Sequence, residues 1–262
     1  MALRFAYSTI NWGTKGDLAA MCREIREAGW GALELFDHSL DWLGTPDSLR
    51  RTLGDLKVAT FFGGLEVPVS PDQIATHKRR MEYAALFGAE MYGLVGGGRL
   101  RWRSPNDAEY SNLAAVCEEL AQHGAALDIG IGYHPHTGCT IETEAEIDIL
   151  LEKTDQTLLC LDVSHIALVD EDPVTQLAKY HARTGYIHMK DWAKGKFVEL
   201  GEGSIGIDFP AILAWLDAQR FGGWVVIENS RSDISPAHSA QMNADYLRRL
   251  GYSLDVTETV AR

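Results

Sequence analysis

The sequence predicts a (β/α)8 barrel, on two observations. Eight short runs rich in β-branched and aromatic residues alternate with helical apolar spacing along all 262 residues, and no break in composition divides them. The polar residues able to carry chemistry gather where the later runs end, which is the rim at which such barrels build their sites. A doubly wound open sheet is the alternative. It is disfavoured because the first strand-to-helix turn, "STINWGTKGD", has no GxGxxG cradle and no GxxxxGK[ST] occurs anywhere.

Strand one is read in "LRFAYS". Leu18, Met21, Cys22 and Ile25 then recur at i, i+3, i+4 and i+7, the apolar stripe of a helix. Strands two and three follow in "ALELF" and "VATFFGG". Ser70-Pro71-Asp72-Gln73 then offers an N-cap, a proline at the first helical position and a Gln placed to close a capping box. "MYGLVGG" is strand four, and the next helix shows its buried face in Leu113, Val116, Cys117 and Leu120. "IGIGYHP" is strand five; Thr143 with Glu146 marks the helix start beyond it as a second capping box. Strands six and seven are "TLLCLDV" and "GYIHMK". The stripe Phe209, Ile212, Leu213 and Leu216 leads to strand eight, "WVVIEN", and Gly251 supplies a C-terminal cap after Leu247 and Leu250. One domain, residues 1–262, is expected.

Composition narrows the function. A chain that is 46% hydrophobic and 23% charged belongs with folded globular enzymes, and a net charge of −13 opposes both a nucleic-acid groove and docking on anionic lipid. The one compact basic run, "RLRWR" from Arg99 to Arg103, is too short for a duplex footprint and reads as a solvated loop or as an anchor for a substrate carboxylate or phosphate. The start "MALRFAYSTINWG" lacks the basic and apolar regions of a signal peptide, and no apolar run approaches membrane-spanning length. Cys22, Cys117, Cys139 and Cys160 form no CxxC pair, so a cytoplasmic setting with reduced thiols is expected.

Sorting polar residues by their place at strand ends gives a concentrated result. Strand five delivers His134 and His136, with Glu142 shortly after; strand six delivers Asp162 and His165; strand seven His188, Lys190 and Asp191; strand eight Glu228. Asp162 and Glu228 each follow an apolar run, where an unpaired carboxylate is costly, so each needs a cation. A metal ion is one answer and Lys190 the other. Carboxylates with one or two imidazoles suit a hard or borderline ion such as Mn, Co, Mg or Zn; among these manganese is the expected cofactor, a preference the donor types do not themselves decide. His165 suits orienting a ligand or touching substrate. Glu142 immediately precedes the Thr143 cap, where an acid also serves the helix dipole. Trp12, Trp102 and Trp192 stand in or beside mouth loops, as sugar-stacking faces or as packing between loops. Glu34, Glu66 and Glu199 are further candidates at the mouth, with a solvated position as the alternative for each. His38, His77, His123, His181 and His238 are expected at the surface.

At this combination the sequence resembles the xylose isomerase-like TIM barrel family of sugar isomerases and epimerases, and within it the inosose dehydratase branch. "YHPHTG", "LDVSH" followed by "DP", "HMKDW", "LGEGSIGIDFP" and "GWVVIEN" carry the likeness, which spans the chain and is strongest from about residue 129 onward. The resemblance implies one divalent metal held by residues from four successive strands. Asp162, His188 and Glu228 match three of the ligands. Where many members end strand five in glutamate this chain has His134, and the dehydratase branch pairs histidines here with an acid downstream; Glu142 is therefore the expected fourth ligand and His134 the fallback. The implied substrate is a small sugar or polyol, with no nucleic acid or membrane partner and self-association left open.

Such a site supports removal of a proton beside a carbonyl, with His134 or His136 as base and the other histidine or Lys190 as acid. Loss of a β-hydroxyl makes the enzyme a lyase, and the histidine pair favours this outcome. Reprotonation instead makes it an isomerase or epimerase, of the ketose 3-epimerase or hydroxypyruvate isomerase type. His165, Asp191, Trp12 and Trp192 are expected around the ligands or substrate. A non-catalytic sugar-binding member and an abasic-site endonuclease-like protein are the remaining expectations; the second needs the basic residues that the charge excludes.

Overall fold

The structure, a computed structural model, describes residues 2–99 and 102–256. In chain order its strands are β1 (Arg4–Ser8), β2 (Ala32–Phe36), β3 (Lys57–Leu65), β4 (Met91–Gly96), β5 (Gly130–Tyr133), β6 (Leu158–Asp162), β7 (Thr184–Met189), β8 (Asp191–Ala193), β9 (Lys196–Val198) and β10 (Trp224–Ile227). Eight of them close a parallel barrel in the order β1-β10-β7-β6-β5-β4-β3-β2, and every strand expected from the sequence is one of its staves. The fold is a (β/α)8, or TIM, barrel. The exceptions are β8 and β9, an antiparallel hairpin standing on the rim after β7.

The outer layer consists of α1 (Leu18–Glu27), α2 (Leu40–Leu43), α3 (Pro46–Leu53), α4 (Pro71–Ala85), α5 (Asp107–Ala125), α6 (Glu144–Glu152), α7 (Val163–Leu168), α8 (Pro173–Tyr180), α9 (Phe209–Ala218) and α10 (Pro236–Arg249). The connections after β2 and β6 each carry two helices. Met21, Cys22 and Ile25 on α1, Leu113 to Leu120 on α5, and Phe209 to Leu216 on α9 bury the predicted stripes against the sheet. Ser70 caps α4 by accepting the Gln73 N–H; Gln73 itself turns away to pair with both backbone groups of Glu66, so that box does not close. Glu146 does reach back, accepting the backbone N–H of Thr143 and of Glu142. No helix among the described residues is long and apolar enough to cross a membrane.

Two cores result. A large one lies between sheet and helices, and a smaller one fills the barrel with Ala6, Ala32, Ala59, Phe62, Met91, Cys160, Tyr186, Trp224 and Val226. The period of two along a strand explains what stands above the second. Cys160 is followed on its face by Asp162, Tyr186 by His188, Val226 by Glu228 and Ala32 by Glu34. Asp162 and Val226 are register partners of His188, so Asp162 stands level with His188 and Glu228 is the next inward position beyond Val226, toward the C-terminal rim.

Candidate metal centre

His134, Asp162, His188 and Glu228, from the ends of four neighbouring staves, are all buried, and one ligand atom of each lies within 4.8 Å of the others. His134 leaves β5 with its N–H on the Leu94 carbonyl, and Glu228 leaves β10 with its N–H on the Met189 carbonyl, so the barrel ladder itself sets both positions. Lys190 reaches into the group, with Nζ 3.0 Å from Asp162 Oδ2 and 2.7 Å from Glu228 Oε1. His188 lies with Nδ1 2.7 Å from Glu228 Oε2 and Nε2 3.0 Å from Glu34 Oε2. Phe62 stacks beneath the His188 ring at 5.4 Å, and Phe197 of the hairpin lies 4.4 Å from Lys190 Nζ.

The donor set fits a divalent cation. Asp162 spends Oδ1 on capping α7, accepting from the N–H groups of Ser164 and His165. Its Oδ2 and His188 Nδ1 are buried without an aligned hydrogen-bond partner, despite their close ionic neighbours. Two buried carboxylates, Asp162 and Glu228, share the single ammonium of Lys190, and a third, Glu34, lies against His188, so acidic groups outnumber the lysine at the centre. Oxygen and imidazole donors without a thiolate suit a hard or borderline ion. Asp162, His188, Glu228 and His134 would hold it.

Charge states follow the packing. Burial pushes the imidazolium forms of His134 and His165 well below the ordinary histidine range, with neighbouring histidines and Lys190 adding to the effect. Burial, then the Lys190 charge, lowers His136 as well. His188 goes the other way: burial opposes its charge, but the Cys160 sulfur and the Glu34 and Glu228 side chains outweigh it and raise its pKa. For Glu228, burial favours the acid, yet Lys190 and His188 hold the carboxyl well below its usual range; Lys190 is raised by Asp162 and Glu228 against burial.

Other expected residues divide into those at the centre and those elsewhere. His136 and His165 stand beside it, their rings 3.7 Å apart and both within 5.4 Å of His134. Glu142 does not join the cluster. Its carboxylate lies 3.0 Å from Arg99 Nε, because Arg99 of the β4 loop pairs with both Glu142 and Glu146. Asp191 faces away from the ligands, accepting N–H groups from Trp192, Gly201 and Gly203 and so bracing the loop after the hairpin. Trp12 packs edge-on against Tyr7 of β1 and donates to Glu24 of α1, and Trp192 packs against Phe197, its cross-strand partner in the hairpin. Within the basic run, Arg103 pairs with Glu109, Trp102 is 79% exposed, and Leu100 and Arg101 lie outside the described residues.

Two expectations of exposure are corrected, and for Glu34 the solvated alternative is overturned. Glu34 is fully buried, because its place in β2 points into the barrel. His38 is covered through stacking on Trp42 and bonding to Thr9, and His77 lies on the buried face of α4 against the Tyr92 hydroxyl. Phe197 carries no chemistry of its own in the sequence and was not anticipated; a Lys194-Gly195 turn between two three-residue runs is the signal that marks its hairpin.

The solved and curated relatives agree with this architecture. An inosose dehydratase of Geobacillus kaustophilus (strain HTA426) is 29% identical over 276 residues, covering 88% of this chain and 86% of its own. The structure of an L-ribulose 3-epimerase superposes with a TM-score of 0.80 at 17% identity, over 95% of this chain and 94% of that one. A protein named IOLI, solved "with a binding zinc atom", superposes with a TM-score of 0.77 at 17% identity, over 95% and 98%. The model of the xylose isomerase-like TIM barrel matches residues 22–250, and the chain belongs to that family.

Proposed function

We propose that this protein is a metal-dependent lyase of the inosose dehydratase type, acting on a cyclic keto-polyol in the cytoplasm. The buried four-residue cluster on the barrel rim carries this reading, and the relationship to inosose dehydratase over most of both chains gives it a substrate class. Manganese is the favoured ion. When bound, a divalent ion polarises the substrate carbonyl and stabilises negative charge that develops next to it.

The chain's own residues supply proton transfer. The Nδ1–H of His136 donates to the Thr137 carbonyl at 2.7 Å, which leaves Nε2 with a lone pair. Its lowered pKa keeps that nitrogen unprotonated near neutral pH, the state a base needs to take the proton beside the carbonyl. Lys190, held protonated between Asp162 and Glu228, is the acid that gives a proton to the departing β-hydroxyl, which leaves as water. His134, whose Nδ1 faces the Cys160 carbonyl at 3.2 Å, takes the fourth ligand position in place of Glu142. His165 stands ready to touch substrate with its buried, unpartnered Nε2.

Metal analysis followed by proton NMR in D2O with a panel of inososes and ketoses tests this. We expect stoichiometric Mn2+, deuterium entering beside the carbonyl, growth of an enone signal with an inosose, and loss of all exchange in His188→Ala. Deuterium exchange without an enone would assign an isomerase or epimerase instead. Unchanged spectra with metal bound would assign a binding protein.

A further inference from the structure

Glu34 is not among the four residues that would hold the ion, yet it is packed directly against one of them. It lies in the middle of β2, across the barrel from β7, with no solvent exposure. Its Oε2 accepts the Thr60 hydroxyl proton at 2.7 Å and lies 3.0 Å from His188 Nε2. Its Oε1 is buried with no partner at all. A buried carboxylate with one oxygen unpaired is a net cost to folding, so its contact with His188 has to be sought in function.

We propose that Glu34 is the positioning residue for His188 and thereby sets the strength of the metal centre. An oxygen that already receives the Thr60 proton faces the imidazole as an acceptor, so His188 donates Nε2–H to it. That assigns Nε2 to Glu34 and turns Nδ1 toward Glu228 and the other donors, so that Nδ1 is the nitrogen whose lone pair would face an ion. Phe62 stacked at 5.4 Å limits ring tilt, while Glu34 limits rotation about the Cβ–Cγ bond. Partners of this kind typically change metal affinity by about 10- to 100-fold when removed. The inference rests on the metal-centre reading for its consequence but not for its geometry.

The test uses the full chain and Glu34→Ala, Glu34→Gln and wild type. In one arm, Mn2+ and Co2+ dissociation constants are measured by calorimetry, and the visible spectrum of the Co2+ form is recorded. We expect Glu34→Ala to weaken both ions by about 10- to 100-fold and to alter the Co2+ spectrum. Glu34→Gln, which keeps an acceptor oxygen, should recover most of the affinity. In the other arm, the low-field Nε2–H resonance of His188 is followed by NMR in metal-free protein, assigned with His188→Asn. It should be slow to exchange in wild type and Glu34→Gln and lost in Glu34→Ala. Unchanged affinity and an unchanged resonance in a folded Glu34→Ala protein would overturn the inference. A wild type that binds no metal yet shows the Glu34-dependent resonance would sink the metal-centre reading while leaving the positioning role intact. Weak metal binding with a merely unfolded Glu34→Ala is separated by Glu34→Gln: a folded Gln variant that fails to hold the resonance also overturns it.

Discussion

Arg99 decides what Glu142 does. Two half-buried to buried acids, Glu142 and Glu146, flank one guanidinium, and an acid already satisfied there gains nothing by swinging toward the rim. His134 needs no such movement, since its backbone is held by Leu94 and its ring is among the four donors. Glu142→Gln should therefore leave the Mn2+ dissociation constant within about twofold and cost under about 1 kcal/mol, the scale of a partly screened ion pair. His134→Ala should weaken Mn2+ by more than about tenfold. Calorimetric titration of both variants checks this, and a Glu142→Gln protein that loses the ion would restore the glutamate as ligand. The residue types of Asp162, His188 and Glu228 could be read from sequence because each follows an apolar run that fixes it to a strand end. The pairing of Glu142 with Arg99 could not, because Arg99 comes from a distant loop and leaves no trace in the local spacing.

At the level of elements, the eight staves were legible and the hairpin was not, for the same physical reason. Barrel strands are apolar on both faces and announce themselves against polar helices, whereas β8 and β9 are three residues each and half exposed. Lys194 and Gly195 both adopt positive φ, of 52° and 80°, as a tight hairpin turn requires, with lysine where asparagine or aspartate is the usual signal. The hairpin matters because Phe197 covers Lys190 and contacts His165 at 5.2 Å. Asp191 ties its base to the following loop, and the approach is so close that a Cβ on Gly203 would overlap the carboxylate. Asp191→Ala releases three N–H groups, some of which water can reach, so we expect a loss of about 1–2 kcal/mol in urea unfolding. Metal affinity should stay within about twofold. A tenfold loss of metal with unchanged stability would mean that Asp191 serves the ions rather than the loop.

Across the whole molecule, the buried histidines distant from the centre tie stability to pH. His77 is nearly enclosed on the buried face of α4, and burial, reinforced by the Arg80 guanidinium, lowers its pKa from 6.5 to about 4. His38, stacked on Trp42, is lowered too, again chiefly through burial. Such positions escape sequence reading because the partners that enclose them, Tyr92 for His77 and Trp42 with Thr9 for His38, are brought together only when the barrel closes. The unfolded chain takes up the His77 proton near pH 6.5 and the folded chain only near pH 4, so on acidification the unfolded state binds more protons and gains. The contribution of neutral His77 is complete above about pH 6.5 and is lost progressively as the pH falls toward 4, by about 3 kcal/mol in all. Urea unfolding of wild type and His77→Asn from pH 7 to pH 4.5 measures this directly. Asparagine keeps a polar partner for the Tyr92 hydroxyl while removing the titration. The variant should be less stable at pH 7 but lose stability less steeply, by up to about one proton per molecule between pH 6 and 4.5. Parallel slopes in the two proteins would show that His77 titrates normally and that the acid sensitivity of the barrel arises elsewhere.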